Sequence, residues 1–432
     1  MQQANSSWLT ADNFYRLVIA AILLRIILMP FFGHVDVLSE ARRIYFWDEA
    51  GIYFDDISRN AVSLFQLLFF KVTSIFIDNK DILFFHEDMR NSTARPTAYF
   101  EFASQGNIFR TLFIIKLPFL VADLVSAWAL YQYCGRDEGA RRATLFWLFN
   151  PVTIFAVYLF GRFESIPIMF CMLSLLAIQR KHLILGAIML GLSMNSREIF
   201  IFLGPAFIAL MCSSSSRDFS LTSRIIASAI ILFALAVSVQ LISLTGSSID
   251  SFGRDVSSLA TEGRVDYLFK FIVGFFLMFP MAYFVILLYT WNSRVHIQNQ
   301  APLIYSLVMI SFFLLSSHTA HYTSWLMIFP CIYYAQNRYM LKPMLLLCVT
   351  WIFYNLSITD LGVFTTFLAA PWSIHMAGLP NFPEMYNVLG LRDSLDMTSY
   401  QRIWSTFYRT CILYITIQII RLYLQSIRKT QK

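Results

Sequence analysis

FYRLVIAAILLRIILMPFFGHVD, residues 14–36, decides the fold of this chain. The apolar run from Phe14 to Phe32 is long enough to cross a bilayer as a helix, for which about 20 residues suffice. Pro30 and Gly33 break the run, and His34, Val35 and Asp36 follow at once. A carboxylate just outside a first membrane helix, ahead of a long segment that does not span, points to chemistry at the membrane face. Asp36 also suits the N-cap of a following helix, because a short acidic side chain can accept from the first free N–H groups.

Composition extends this reading to the whole chain. Its 432 residues are 57% hydrophobic and only 14% charged, with a mean hydropathy of +0.60. A soluble domain carries roughly 25% charged residues, so the polar surface here is too small to cover a soluble globule. Backbone groups find no water in lipid, which leaves helices or closed barrels. Continuous rather than alternating apolar runs select helices. The expected fold is therefore an all-α, polytopic membrane protein forming one integral-membrane domain over residues 1–432. The first ten residues lack a charged n-region, and the first run is long enough to span, so a retained helix is expected rather than a cleaved signal.

About twelve spans are expected at roughly 17–25 residues each. They fall near 14–32, 111–132, 144–160, 165–179, 183–196, 199–212, 225–244, 267–290, 303–317, 322–336, 342–357 and 403–424. The third to sixth are short for independent spans. One set of loops is short and basic, carrying Arg136, Arg141, Arg142, Arg180, Lys181, Arg217, Arg224, Arg294, Arg338 and Lys342. The positive-inside rule turns these to the cytoplasm, together with both termini. The long loops at 33–110, 245–266 and 358–402 then face outward, and Asp36 with them. The apolar stretches at 61–77 and 82–86 suit helices lying along the interface.

The net charge of +7 follows from those loops. No basic stripe interleaved with aromatics is present, so no nucleic-acid partner is expected. The six cysteines have no paired spacing, which supports neither a disulfide framework nor a zinc site. No phosphate-binding glycine loop or dinucleotide fingerprint occurs, so no nucleotide cofactor is expected.

Several polar clusters share the outward side with Asp36. His34 and Asp36 precede Glu40, Arg42 and Arg43. GRFES at 161–165 carries Arg162 and Glu164. NSRE at 195–198 carries Arg197, and SSHTAHY at 316–322 carries His318, His321 and Tyr322. Each alone reads as a loop anchored at the headgroups; together on one face they suggest a single external site. Asp36 is the candidate general base, since a base must reach a substrate proton. Lys116 and Asp123, seven residues apart in KLPFLVADL, share a helix face. Lys116 is expected to snorkel outward, and Asp123 to serve as a structural partner within the bundle.

In this order KLPFLVADL, NPVTIFAVYLFGRFES and HTAHYTSWLMIFP, behind a first span ending in an external aspartate, resemble the GT-C membrane glycosyltransferases. They are similar above all to polyprenyl-phosphate-mannose-dependent mannosyltransferases of the phosphatidylinositol-mannoside and GPI mannosyltransferase I types. The motifs cover about residues 30–330; the C-terminal third matches only as further spans. The resemblance implies an inverting enzyme that takes a hexose, most simply mannose, from a polyprenyl-phosphate donor. The acceptor would be a lipid-linked or glycan molecule on the external or lumenal face. Asp36 takes the place of the family's base, GRFES with Glu164 its acidic turn, and His321–Tyr322 its late motif, with His318 as rival. Donor-phosphate and substrate contacts then fall to His34, Arg43, Arg162, Glu164, Arg197, His318, His321 and Tyr322. No metal is required, because the donor carries its own leaving group. The rival class is a multi-pass transporter of a sugar or lipid-linked glycan, for which Asp123 would be the deep acidic group. The location expected is a bacterial or archaeal cell membrane, or the ER membrane in a eukaryote.

Overall fold

The computed structural model describes residues 9–34, 36–37, 41, 44, 47–48, 60–77, 103–104, 106–213, 216–245, 278–315, 320–356, 369–391 and 395–430. Of the candidate site residues, Arg43 and His318 lie outside this set, as do Glu40 and Arg42. Every regular element among the described residues is helical. Five of the helices are long and apolar enough to cross a membrane, and six if a bent pair counts as one span. Shorter apolar helices of 10–17 residues accompany them among the described residues.

The chain divides into two compact units. The first comprises residues 1–45, 69–165 and 320–411; the second comprises 46–68, 166–319 and 412–432. Helix α1 (Ala11–Phe31) opens the first unit, and α2 (Asn60–Thr73) precedes its long helix α3 (Ile108–Tyr133). Helix α4 (Glu138–Phe149) and the single turn α5 (Pro151–Ile154) follow. A π-turn over Phe155–Leu159 leads to Gly161.

Helix α1 is inside-out by the standards of a soluble protein. Tyr15, Ile19, Leu23 and Ile27, spaced by four, are more than half exposed, while Arg25 is fully buried. An apolar stripe turned outward with an ionisable group turned inward is what a lipid environment selects. The span expected over 144–160 is broken instead. Asn150 ends α4, its side chain accepts from Val152 N–H at 2.9 Å, and Pro151 starts the next turn. The two pieces meet at 40°. Pro151 has no N–H to donate, which makes it a natural first residue for the new turn. The start of α4 is fixed by Asp137, which accepts from Ala140 N–H at 2.7 Å. Gly139 lets that end approach α12 (Ser324–Gln336), since a Cβ there would run into the carbonyl of Ala335. Helix α13 (Leu341–Leu356) completes the helical core of this unit.

The second unit contains α6 (Ser165–Gln179), α7 (Leu183–Met194), α8 (Leu203–Cys212), α9 (Leu221–Thr245), α10 (Met278–Asn292) and α11 (Ile297–Leu315). Hydroxyl groups tie it across elements: Ser193 donates to Pro167 O at 2.9 Å and Tyr283 to Phe202 O at 2.7 Å. The short α14 (Phe382–Val388) lies in the first unit, and the long α15 (Met397–Thr430) runs from the first unit into the second.

Candidate active site

The site is assembled where α1 ends. Phe32 is extended, the chain passes Gly33, and His34 N–H donates to Phe160 O at 3.0 Å. That bond ties the strand-like exit of α1 to the end of the π-turn. After the turn the backbone must reverse. Gly161 does so at φ +84°, a region in which a Cβ is strained. Arg162 N–H then bonds back to Ala156 O at 3.0 Å, which aims the Arg162 side chain at the α1 exit.

Arg162 donates through Nη1 to Asp36 Oδ2 at 2.7 Å and through Nε to Glu164 Oε1 at 3.3 Å. Glu164 is fully buried and also accepts from Trp325 Nε1 at 2.6 Å. The Trp325 ring stacks on Tyr322 at 4.4 Å, and Tyr322 meets His321 edge-on at 4.2 Å. His321 lies over one ring of Phe160 at 4.7 Å, and His34 stacks on the same Phe160 at 4.2 Å. His34 returns the contact to Asp36. Its Nδ1 stands 3.3 Å from Asp36 N–H and 3.5 Å from Asp36 Oδ2. A neutral ring can accept the first; a ring protonated at Nδ1 can donate to the second. The contacts close into a loop running Asp36, Arg162, Glu164, Trp325, Tyr322, His321, Phe160, His34 and back to Asp36.

Electrostatics follow from this packing. Burial alone pushes the Asp36 carboxyl up, but the Arg162 guanidinium, then the His34 ring and His321, more than reverse it. The carboxyl is held well below the usual carboxylate range. Its side chain nevertheless stays one-third exposed, whereas Arg162 is 8% exposed. The site thus presents an ionised carboxylate to its surroundings, backed by a buried arginine.

Six of the nine candidate residues therefore meet in one place: Asp36, His34, Arg162, Glu164, His321 and Tyr322. Arg197 belongs to the second unit, where it is buried ahead of the short helical turn Glu198–Phe202. The backbone groups that Asp36 would bond as an N-cap, at 38 and 39, lie outside the described residues; its carboxylate accepts from Arg162 and its own N–H faces His34. Phe160 and Trp325 were missed. Both stand inside quoted motifs, yet an aromatic in an apolar run carries no signal of its partner.

A second polar cluster lies in the interior of the same unit. Asp123 accepts from Arg25 Nε at 2.7 Å, Tyr158 OH at 2.7 Å and Trp147 Nε1 at 2.8 Å. All four side chains are sealed from solvent. This is the structural partnership expected of Asp123. Lys116 departs from expectation: instead of snorkelling it is fully buried. The backbone carbonyls that it meets offer a dry ammonium what water would otherwise supply.

Comparison with known proteins gives no match to a family model, to a curated protein or to a solved structure.

Proposed function

We propose that this membrane protein is an inverting glycosyltransferase of the GT-C kind, built on about twelve transmembrane helices, some of them short. It moves a hexose, most simply mannose, from a polyprenyl phosphate to a lipid-linked or glycan acceptor on the external or lumenal face. The observation that carries the reading is the closed loop of contacts around Asp36 and Arg162, formed by three of the motifs that resemble that family. Asp36 takes the proton of the acceptor hydroxyl. The acceptor oxygen forms its bond to the anomeric carbon, and the carbon–oxygen bond to phosphate breaks with its electron pair leaving on the phosphate.

Two features suit this chemistry. Asp36 is ionised before substrate arrives, so no prior deprotonation is needed. Arg162 lowers its basicity, but an incoming phosphate that shares the guanidinium weakens that effect and returns the carboxylate toward its ordinary strength. His34 and His321 flank the same point and can add hydrogen bonds to the departing phosphate. The transporter reading would turn on Asp123. Three side-chain donors already occupy that carboxylate, and all four side chains are sealed from solvent, which suits a structural role.

The test is transfer of radiolabelled mannose from a polyprenyl-phosphate donor by purified protein in lipid nanodiscs, offered a total lipid extract as acceptor. A labelled product made by wild type and absent with Asp36→Asn supports the reading. Full activity in Asp36→Asn refutes the base assignment. Proton- or sodium-coupled sugar uptake into proteoliposomes without a transfer product refutes the enzyme.

A further inference from the structure

Lys116 stands on α3, and its side chain is fully buried. Its Nζ donates to Met29 O at 3.0 Å, to Tyr158 O at 2.9 Å and to the carbonyl of Phe32. An ammonium carries three N–H donors, so every one is engaged. Met29 and Phe32 sit at the C-terminal end of α1, where carbonyls lack helical partners and the negative end of the helix dipole gathers. Tyr158 belongs to the π-turn. One cation therefore joins two chain segments far apart in sequence. The first leads within two residues to His34, and the second within four to Arg162.

Neighbouring contacts make the same join tight. His34 N–H bonds to Phe160 O at 3.0 Å. A Cβ on Gly161 would stand 3.1 Å from both Lys116 Cε and Val37 Cβ. The α1 exit, the π-turn and the Lys116 stem thus meet without spare room. Asp36 and Arg162 are carried on the two segments so joined.

We propose that Lys116 is a positioning residue of the site: by clasping the end of α1 to the π-turn, it sets the approach of Asp36 to Arg162. It touches no substrate, being sealed from solvent, and acts only through the backbone. The proposal rests on reading Asp36 and Arg162 as the reacting groups, while the clasp itself is independent of the reaction. Plain support of the fold would spread its effect over the whole unit. A positioning role concentrates it in the two clasped segments.

The experiment compares wild type with Lys116→Met, which keeps an apolar stem of similar length and removes the three donors. Peptide-level hydrogen exchange follows residues 29–37 and 156–163, with 140–149 and 326–335 as controls. We expect exchange faster by about tenfold in the two clasped segments, exchange reading local opening. The controls should be unchanged. Under the transferase assay, kcat should fall by about 10²-fold, the effect of an ångström-scale misplacement, with KM held within about threefold. Uniform acceleration across all four segments, no acceleration in the clasped ones, or an unchanged kcat overturns the proposal. Should Lys116→Met yield no folded protein, Lys116→Gln, which keeps a donor group on a shorter stem, is read by the same criteria. If wild type itself makes no transfer product, the enzymatic reading fails while the exchange result still decides the clasp.

Discussion

The first unit holds two arginine–aspartate pairs of the same length. Arg25 meets Asp123 at 2.7 Å and Arg162 meets Asp36 at 2.7 Å. The first pair is wholly sealed; in the second a third of the aspartate side chain is open. Asp123 has three side-chain donors around it, from Arg25, Tyr158 and Trp147. Among the described residues Asp36 has one strong donor, Arg162, a histidine at the margin, and a side chain one-third exposed. Distance alone would rank the pairs equal. Their surroundings suit the first to architecture and, on the proposed reading, the second to chemistry, because a buried charge without partners is costly while an accessible one can change partners.

The sharpest way to break this contrast is to remove each acid in turn. Asp123→Ala takes the shared acceptor from Arg25, Tyr158 and Trp147 and leaves the buried guanidinium bonded to Ala21 O without its counter-charge. It should destabilise the protein by about 3–5 kcal/mol, as loss of one partner from a buried pair does, seen as early thermal unfolding by tryptophan fluorescence. Asp36→Asn should lower the melting temperature clearly less than Asp123→Ala does, since its pair is partly open, and cut transfer by about 10²–10⁴-fold, the range for general-base catalysis. Equal melting losses for the two variants would erase the distinction.

A smaller effect is expected at Gly161. Gly161→Ala places a Cβ against Lys116 and Val37 at a positive φ, and should lower stability by about 1–2 kcal/mol, the usual size of left-handed strain for a side chain. Activity should fall further than stability, since the strained turn carries Arg162. A variant that melts early but retains full kcat would show that the open pair tolerates movement.

The smallest effect concerns pH. The folded Asp36 carboxyl lies below its unfolded value, about 3.9 for aspartate. Its ionic stabilisation is therefore complete above that value and lost only as pH falls through the lower, folded one. From pH 8 down to 5 the pair should contribute a constant amount to the melting temperature. Arg162→Met removes the main lowering influence and leaves burial, which raises the carboxyl. The melting deficit of that variant against wild type should then shrink as pH drops from 7 toward 4. The double variant with Asp36→Asn should show a weaker trend, the remainder belonging to Glu164, which loses the same partner.

Much of this site was legible in the sequence, and the reason is local. His34 and Asp36 stand beside each other, as do Arg162 and Glu164, and His321 and Tyr322, so each short motif kept its chemistry visible. The direction of α1 was legible too, since an apolar run ending at Pro30 and Gly33 can hardly be anything but a helix and its stop. Lys116 was misjudged because spacing shows which residues share a face, not whether that face meets lipid or protein. Its carbonyl partners lie 42 to 87 residues away. Arg25 was passed over for a related reason: one arginine within an apolar run looks interchangeable with its neighbours until Asp123 is placed against it. The span over 144–160 was drawn too simply, because Asn150–Pro151 cuts the helix while leaving hydropathy intact.

The π-turn over Phe155–Leu159 closes its ring with Phe160 N–H donating to Phe155 O at 2.8 Å. Such a turn holds one residue more than an α-helical turn, and each residue of an α-helix advances the chain by about 100° around the axis. The extra residue is what lets Tyr158 send its hydroxyl to Asp123 and its carbonyl to Lys116 while Arg162 still faces Asp36. The segment behaves as a phase shifter. Deleting a single apolar residue between Phe155 and Val157 would leave hydropathy and composition almost untouched, yet remove the wide turn that precedes Gly161 and Arg162. The length of this short stretch is thus under tighter constraint than the identity of most of its side chains.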